Sequence, residues 1–214
     1  MGNRGDALIV MFTSPRIAMI AVGIAAVPHT VPAQSPTTWV VAPRYGSAGE
    51  AALFAARIAP HWVVGEELTI AVHSGDKALA VAAGPRLTSS AVSVIIIAGP
   101  VIASGSWYAG LYFAPAVHVG QVAATGTLEF FIPATTGARF VYEVSHARLL
   151  VRVGSGWQGG AFFHLVKSAG DAAQRELGAS LRLRIKPGLT VTADAARGLG
   201  GTPSEVILSM QWER

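Results

Sequence analysis

Three cations alternate with apolar residues near the end of the chain and could form one chemically active surface. Arg182, Arg184 and Lys186 precede a Pro187-Gly188 pair, and the alternation continues beyond it to Asp194. Strict alternation on both sides of a tight turn predicts a β-hairpin with one polar and one apolar face. The cations could bind anionic solutes. Alternatively, they could pair with acids on adjacent strands, such as Asp194, Glu143, Glu205 or Glu213.

A second polar group lies in the segment Glu143-Val144-Ser145-His146, followed by Arg148. Serine and histidine side chains in contact could hydrolyse esters. However, adjacent residues of a regular strand point to opposite faces, so Ser145 and His146 cannot form such a pair there. The polar phase slips at this point, which predicts a β-bulge near Ser145-His146. Glu143, His146 and Arg148 are therefore expected to belong to a polar network, which His164 could join.

No other pattern indicates an enzyme, a cofactor or a metal. Phosphate-binding loops, nucleophile elbows and zinc-binding helix motifs are absent from the sequence. The chain has no cysteine, which excludes disulfides and thiolate metal sites. Its formal charge of +4 comes without a dense basic block, so nucleic acid is not an expected partner. We expect no catalytic, cofactor-binding or metal-binding residues.

The elements that must position these residues are short strands. Glycine and proline separate alternating segments, and little predicts a helix except 51–58, where a capping box from Ser47 to Glu50 makes a short helix an equal alternative. The predicted strands are 37–44, 51–64, 67–73, 77–83, 90–98, 106–118, 121–132, 139–153, 157–167, 178–186, 189–196 and 205–213. The fold class is therefore all-β, with the first and second segments the least certain.

The first part of the chain has the pattern of an export signal. Arg16 precedes an apolar run over 17–27, and small residues near Ala33 suit cleavage. An uncleaved membrane anchor is the alternative. We expect a secretory signal over 1–33 and one β-barrel domain over 34–214.

The apolar faces of these strands are expected to be shielded from water by an apolar environment. The span from Leu87 to Leu128 contains no Asp, Glu, Lys or Arg, which is too little charge for a surface in water. One or two transmembrane helices over 91–119 are an alternative, but glycine, proline and β-branched residues favour strands. The aromatic residues near strand ends are candidates for membrane-interface girdles: Trp39, Trp62, Trp107, Tyr108, Trp157 and Trp212.

The connections between strands also alternate in length. Read from the C-terminus, long connections at 197–204, 168–177, 133–138 and 99–105 alternate with short ones at 187–188, 154–156 and near Gly120. With Trp212 close to the C-terminus, this pattern resembles bacterial outer-membrane β-barrels, although Glu213 and Arg214 follow the aromatic residue. The resemblance implies an antiparallel up-and-down transmembrane β-barrel of 8–12 strands, with ten or twelve favoured, in the outer membrane of a Gram-negative-type bacterium.

The function expected from this fold is a narrow porin-like channel for small solutes. The lipid bilayer is then its partner, and oligomerisation is conceivable without a specified interface. Two alternatives remain: a non-conducting structural or interaction barrel, and an exported soluble barrel or sandwich that binds an apolar ligand. A lipid hydrolase using Ser145 is a further, weaker hypothesis. The polar residues expected to face the lumen are Arg182, Arg184, Lys186, Asp194, Glu143, His146 and Arg148.

Overall fold

A computed structural model describes residues 37–47, 49–71 and 76–214 of the 214-residue chain. The expected signal segment 1–33 lies outside the described residues. The described residues form twelve β-strands. They are β1 Thr38–Gly46, β2 Glu50–Ile58, β3 Trp62–Ala71, β4 Lys77–Thr88, β5 Val92–Ala103, β6 Ser106–Val119, β7 Val122–Pro133, β8 Val141–Arg152, β9 Trp157–Ser168, β10 Gln174–Lys186, β11 Leu189–Leu199 and β12 Glu205–Glu213.

Each strand pairs with its neighbours in the chain in antiparallel register, and β12 pairs with β1 to close the barrel. Closure removes the unpaired backbone groups that an open sheet leaves at its edges. The prediction of an all-β, up-and-down barrel is confirmed, and twelve is one of the two strand numbers favoured by the sequence. No helix in the described ranges is long and apolar enough to span a bilayer.

The two ends of the barrel differ in their connections. We name the end that carries the start of β1 and the end of β12 the proximal rim, and the other the distal rim. The proximal rim has turns at 120–121, 153–156 and 187–188, whereas the distal rim has longer connections at 134–140, 169–173 and 200–204. The predicted turn at Pro187-Gly188 is confirmed.

Two details of the strand prediction are wrong, the single strand at 51–64 and the connection at 99–105, and the two helical alternatives do not occur. The segment 51–58 is strand β2 and not a helix, and β2 and β3 are separate strands because the chain turns at Pro60. The segment 91–119 forms β5 and β6 rather than transmembrane helices. The connection expected at 99–105 is only Ser104 and Gly105, whose φ angles of 48° and 80° suit a two-residue hairpin turn.

Gly99 and Pro100 explain the last error, because their residue types are typical of turns. Gly99 instead lies inside β5, where the carbonyl oxygen of Val81 on β4 occupies the space that a Cβ atom would need. Glycine is thus required here for the close approach of two strands, not for a turn.

The outer wall of the barrel is apolar. Leu181, Leu208 and Met210 point outward with 46%, 52% and 44% of their surface exposed. Large apolar residues exposed over a whole wall require a nonaqueous surrounding. The soluble-barrel alternative places such residues inside, and the structure does not have that arrangement.

Tryptophans mark the ends of this apolar wall. Trp39, Trp62, Trp157 and Trp212 lie near the proximal rim and are exposed, and Trp107 lies near the distal rim. Trp157 also borders the mouth of the vestibule. This placement is typical of aromatic girdles at the two membrane interfaces. Tyr108 does not belong to them. It follows the outward Trp107 in the strand, so it points inward and is buried against the lumen wall.

Candidate functional site

The barrel encloses a lumen with two chambers, lined by charged and by apolar side chains. A vestibule of about 1010 Å³ extends from the proximal rim, and a distal chamber of about 110 Å³ lies beyond it. Seven residues line both chambers and form what we call the constriction ring: Arg44, Glu67, Ala80, Tyr112, Glu129, Ser145 and His146. These residues lie where the two chambers meet.

Arg44 of β1 is the centre of the constriction ring. Its Nη2 atom donates to Glu50 Oε1 at 2.6 Å and lies 3.5 Å from Glu67 Oε1, while its Nη1 atom contacts His146 Nε2. β1 and β8 lie on nearly opposite sides of a ring of twelve strands. The Arg44–His146 contact therefore spans the lumen and narrows it.

A β-bulge in β8 puts His146 in this position. Val144 pairs with Leu165 and Ala147 with Phe163, so Ser145 and His146 together lie opposite one residue of β9. His146 adopts φ = 49°, a left-handed conformation that is uncommon outside glycine. The bulge predicted near Ser145-His146 is confirmed. Because of it, Ser145 and His146 both reach the lumen although they are adjacent in sequence.

Ser145 and His146 nevertheless have different neighbours. The hydroxyl of Ser145 lies beside the carboxylates of Glu129 and Glu143. His146 Nε2 is in contact with Arg44, and its Nδ1 atom has no partner among the described residues. A nucleophile requires a base within hydrogen-bond reach, and this pair lacks that bond.

His164 of β9 joins the polar network on the distal side of the ring. Its Nε2 atom lies 2.9 Å from Glu143 Oε1, its Nδ1 atom 3.5 Å from Glu176 Oε2, and its ring stacks on His146 at 6.0 Å. These contacts connect β8, β9 and β10 across their inner faces. They hold the imidazole of His146 in the orientation that meets Arg44.

Arg148 anchors the vestibule side of the same wall. Its Nε and Nη2 atoms donate to the two carboxylate oxygens of Asp194 at 3.0 and 2.5 Å, and its guanidinium lies 5.7 Å from the centre of the Phe162 ring. Asp194 and Phe162 have no exposed surface. A bidentate, buried ion pair of this kind fixes the relative position of β8 and β11.

The hairpin cations are placed differently from one another. Arg182 and Arg184 line the vestibule. Lys186 is exposed next to the turn, where a register shift after Arg184 puts it opposite Leu189. Two acids considered as their partners, Asp194 and Glu143, are bonded to Arg148 and His164 instead. Arg182 thus keeps an Nε atom with no hydrogen-bond partner among the described residues.

The charges along the lumen are unequally distributed. Within the described part of the chain, six arginines and four glutamates line the vestibule: Arg44, Arg86, Arg148, Arg152, Arg182 and Arg184, with Glu66, Glu67, Glu129 and Glu213. The distal chamber is lined by Arg44 and by five glutamates: Glu50, Glu67, Glu129, Glu143 and Glu205. Because Asp194 neutralises Arg148, the vestibule carries a small excess of positive charge, whereas the distal chamber carries an excess of negative charge.

Sequence reasoning missed much of the constriction ring. Arg44 lies in the least certain predicted strand, and Tyr112 lies in the charge-free span, where nothing distinguishes an inward aromatic residue from an outward one. Glu129 pairs directly with Glu143 across β7 and β8. Two carboxylates facing each other on neighbouring strands would have indicated a functional site. This signal can be recognised only when the pairing register of the two strands is known.

Comparison with known proteins identifies the fold. No protein-family model matches the chain, and no curated protein matches it. The KdgM porin, solved in complex with disordered oligogalacturonate, has a TM-score of 0.59 and 10% identity, covering 82% of this chain and 98% of that chain. The NanC porin has a TM-score of 0.54 and 12% identity, covering 81% and 97%.

At this level of identity the likeness is one of fold, and it agrees with the apolar outer wall and the polar lumen. The chain has the fold of these porins, a closed β-barrel of twelve strands, which is the fold that the sequence indicated. The expected location in a Gram-negative-type outer membrane agrees with these porin neighbours.

Proposed function

We propose that the protein is a narrow channel for small solutes with a preference for anions. The observation that carries this proposal is the vestibule of about 1010 Å³, which leads from the proximal rim to the constriction ring. A barrel that serves only as a structural element has an interior filled by side chains. Here the inner side chains leave a large cavity lined by charged and apolar residues, which supports conduction.

The anion preference is supported by the arginines of the vestibule. Their positive potential raises the local concentration of anions at the entrance, as rings of Arg and Lys do in anion pores. The KdgM porin was solved with oligogalacturonate, which bears carboxylates. A related acidic solute that enters the vestibule would meet the side chains of Arg182 and Arg184.

The orientation follows from the connection lengths. Outer-membrane barrels have short periplasmic turns and longer external loops. The turns at 120–121 and 187–188 then face the periplasm, and the connections at 134–140 and 169–173 face outward. In this orientation the arginine-rich vestibule opens to the periplasm and the acidic chamber to the exterior.

Purified protein in planar lipid bilayers tests the proposal. In a KCl gradient we expect discrete conductance steps with a reversal potential on the chloride side, and Arg182→Gln is expected to lower the chloride-to-potassium permeability ratio about twofold. Arg139→Gln is the matched control. Arg139 lies on the distal rim, 53% exposed and paired with Asp171, so its loss is expected to leave the ratio unchanged.

Two results would contradict the proposal. A correctly folded barrel that inserts without conductance steps would be a structural or interaction barrel. Steps with cation preference, or an equal effect of Arg182→Gln and Arg139→Gln, would remove the anion preference while retaining the channel. Liposome swelling with graded neutral sugars then measures the size limit that the constriction ring imposes.

A further inference from the structure

The inner wall formed by β4, β5 and β6 is apolar. Ala82 of β4 and Ile95, Ile97 and Val101 of β5 face the lumen, and Tyr112 of β6 continues this surface into the constriction ring. Arg86, at the proximal rim, is the one charged residue lining the vestibule from these strands in the described part of the chain. The interiors of outer-membrane barrels are polar, so an apolar inner wall is a departure that calls for a function.

Part of this apolar wall is in contact with the vestibule cavity. Ala82, Val101 and Tyr112 are packed into a cluster, against which Ile97 also packs. Ile95 and Ile97 both line the vestibule, where each is only partly buried. Apolar surface in contact with lumen water is unfavourable in proportion to its area. A solute with an apolar surface of its own would displace that water and gain the corresponding free energy.

The opposite wall carries the charges. In a closed ring of twelve strands each strand faces the strand six places away, so β4 faces β10 and β5 faces β11. Arg182 and Arg184 project into the vestibule from β10. Arg182 makes no hydrogen bond through its Nε atom in the described structure. Its guanidinium can therefore bind an anionic group in the vestibule.

We propose that the vestibule selects amphipathic organic anions, namely small carboxylates or sulfonates attached to an aromatic or aliphatic body. The anionic group binds Arg182, and the apolar body lies on Ile95 and Ile97. This inference rests on the proposed channel function and names the class of solute that the channel favours. It differs from selection by charge alone, because the solute must contact the arginine wall and the apolar wall at the same time.

Two sulfonates of equal charge test the inference, since both stay ionised at neutral pH. Permeabilities of benzenesulfonate and isethionate relative to chloride are measured from reversal potentials in planar bilayers. Selection by size favours the smaller isethionate, whereas the apolar wall predicts that benzenesulfonate is favoured by about threefold.

Variants of the apolar wall separate this preference from other causes. Ile97→Asn is expected to bring the ratio of the two permeabilities close to one, and Ile95→Thr, which keeps the β-branch but is smaller and polar, is expected to lower it. Thr190→Asn, on the polar side of the same vestibule, is the control and is expected to leave the ratio unchanged. Heat-modifiable gel migration confirms that each variant is folded.

The outcomes distinguish this inference from the function on which it rests. Absence of chloride current in the native protein would overturn the channel and the inference with it. Chloride current with isethionate equal to or ahead of benzenesulfonate would overturn the inference alone. An unchanged ratio in folded Ile97→Asn and Ile95→Thr would overturn it as well.

Discussion

Replacement of Arg148 by methionine is expected to lower the free energy of unfolding by about 3–5 kcal/mol, because it leaves a buried carboxylate without its cation. Asp194 has no exposed surface, and Arg148 provides hydrogen bonds to both of its oxygens. The same change also removes the cation from the face of Phe162. Equilibrium unfolding in urea, with the protein inserted in lipid vesicles, measures the change.

Arg139→Met is the matched control for this prediction. Arg139 also forms an Arg–Asp pair, with Asp171 at 2.9 Å, but it is exposed on the rim. Exposed ion pairs contribute roughly 0–1 kcal/mol, so this variant is expected to unfold nearly as the native protein does. The double variant Arg148→Met/Asp194→Leu is expected to recover much of the lost stability. Equal losses in Arg148→Met and Arg139→Met would show that burial of the pair is not the cause.

Tyr112→Ala is expected to raise single-channel conductance about twofold or more, because the dimensions and lining groups of the narrowest part set conduction. Tyr112 lines both chambers at the constriction ring, and its ring packs edge-on against Phe131 at 5.9 Å. Removal of the phenol opens the ring on its apolar side. Arg44 and its acidic partners on the other side are untouched.

Tyr142→Ala controls for a general effect of losing a tyrosine. Tyr142 follows the inward, buried Val141 in β8, so it lies on the outer wall, where 36% of its surface is exposed. Its loss is expected to leave the conductance unchanged. If Tyr112→Ala and Tyr142→Ala conduct alike, the passage does not run through the constriction ring.

The barrel was predictable from sequence because alternation and turn residues act locally. β12 begins and ends at the predicted residues 205 and 213, and the Pro187-Gly188 turn lies where the pattern changes. The bulge at His146 was also predictable, because an extra residue shifts the polar phase of a strand. Errors arose where one residue type has two structural uses. Glycine is typical of turns, but Gly99 instead allows two strands to pack closely.

The constriction ring was less predictable because it depends on distant pairs. Arg44 and His146 are 102 positions apart, and their contact follows from barrel closure and from the number of strands. The inward position of Tyr112 also depends on register rather than on composition. A single sequence gives the faces of each strand but not which faces meet across the lumen.

The central claim of this account is that apolar side chains face lipid while their charged neighbours in the same strand face a water-filled lumen. The native chain has no cysteine, so a thiol reagent labels only the single cysteine that is introduced. In vesicles, Arg182→Cys is expected to react rapidly with a charged, membrane-impermeant thiol reagent, whereas Leu181→Cys is expected to resist it. A bimane fluorophore attached at 181, but not at 182, is expected to be quenched by brominated lipid acyl chains. The reverse pattern, or equal reactivity at the two positions, would contradict the account.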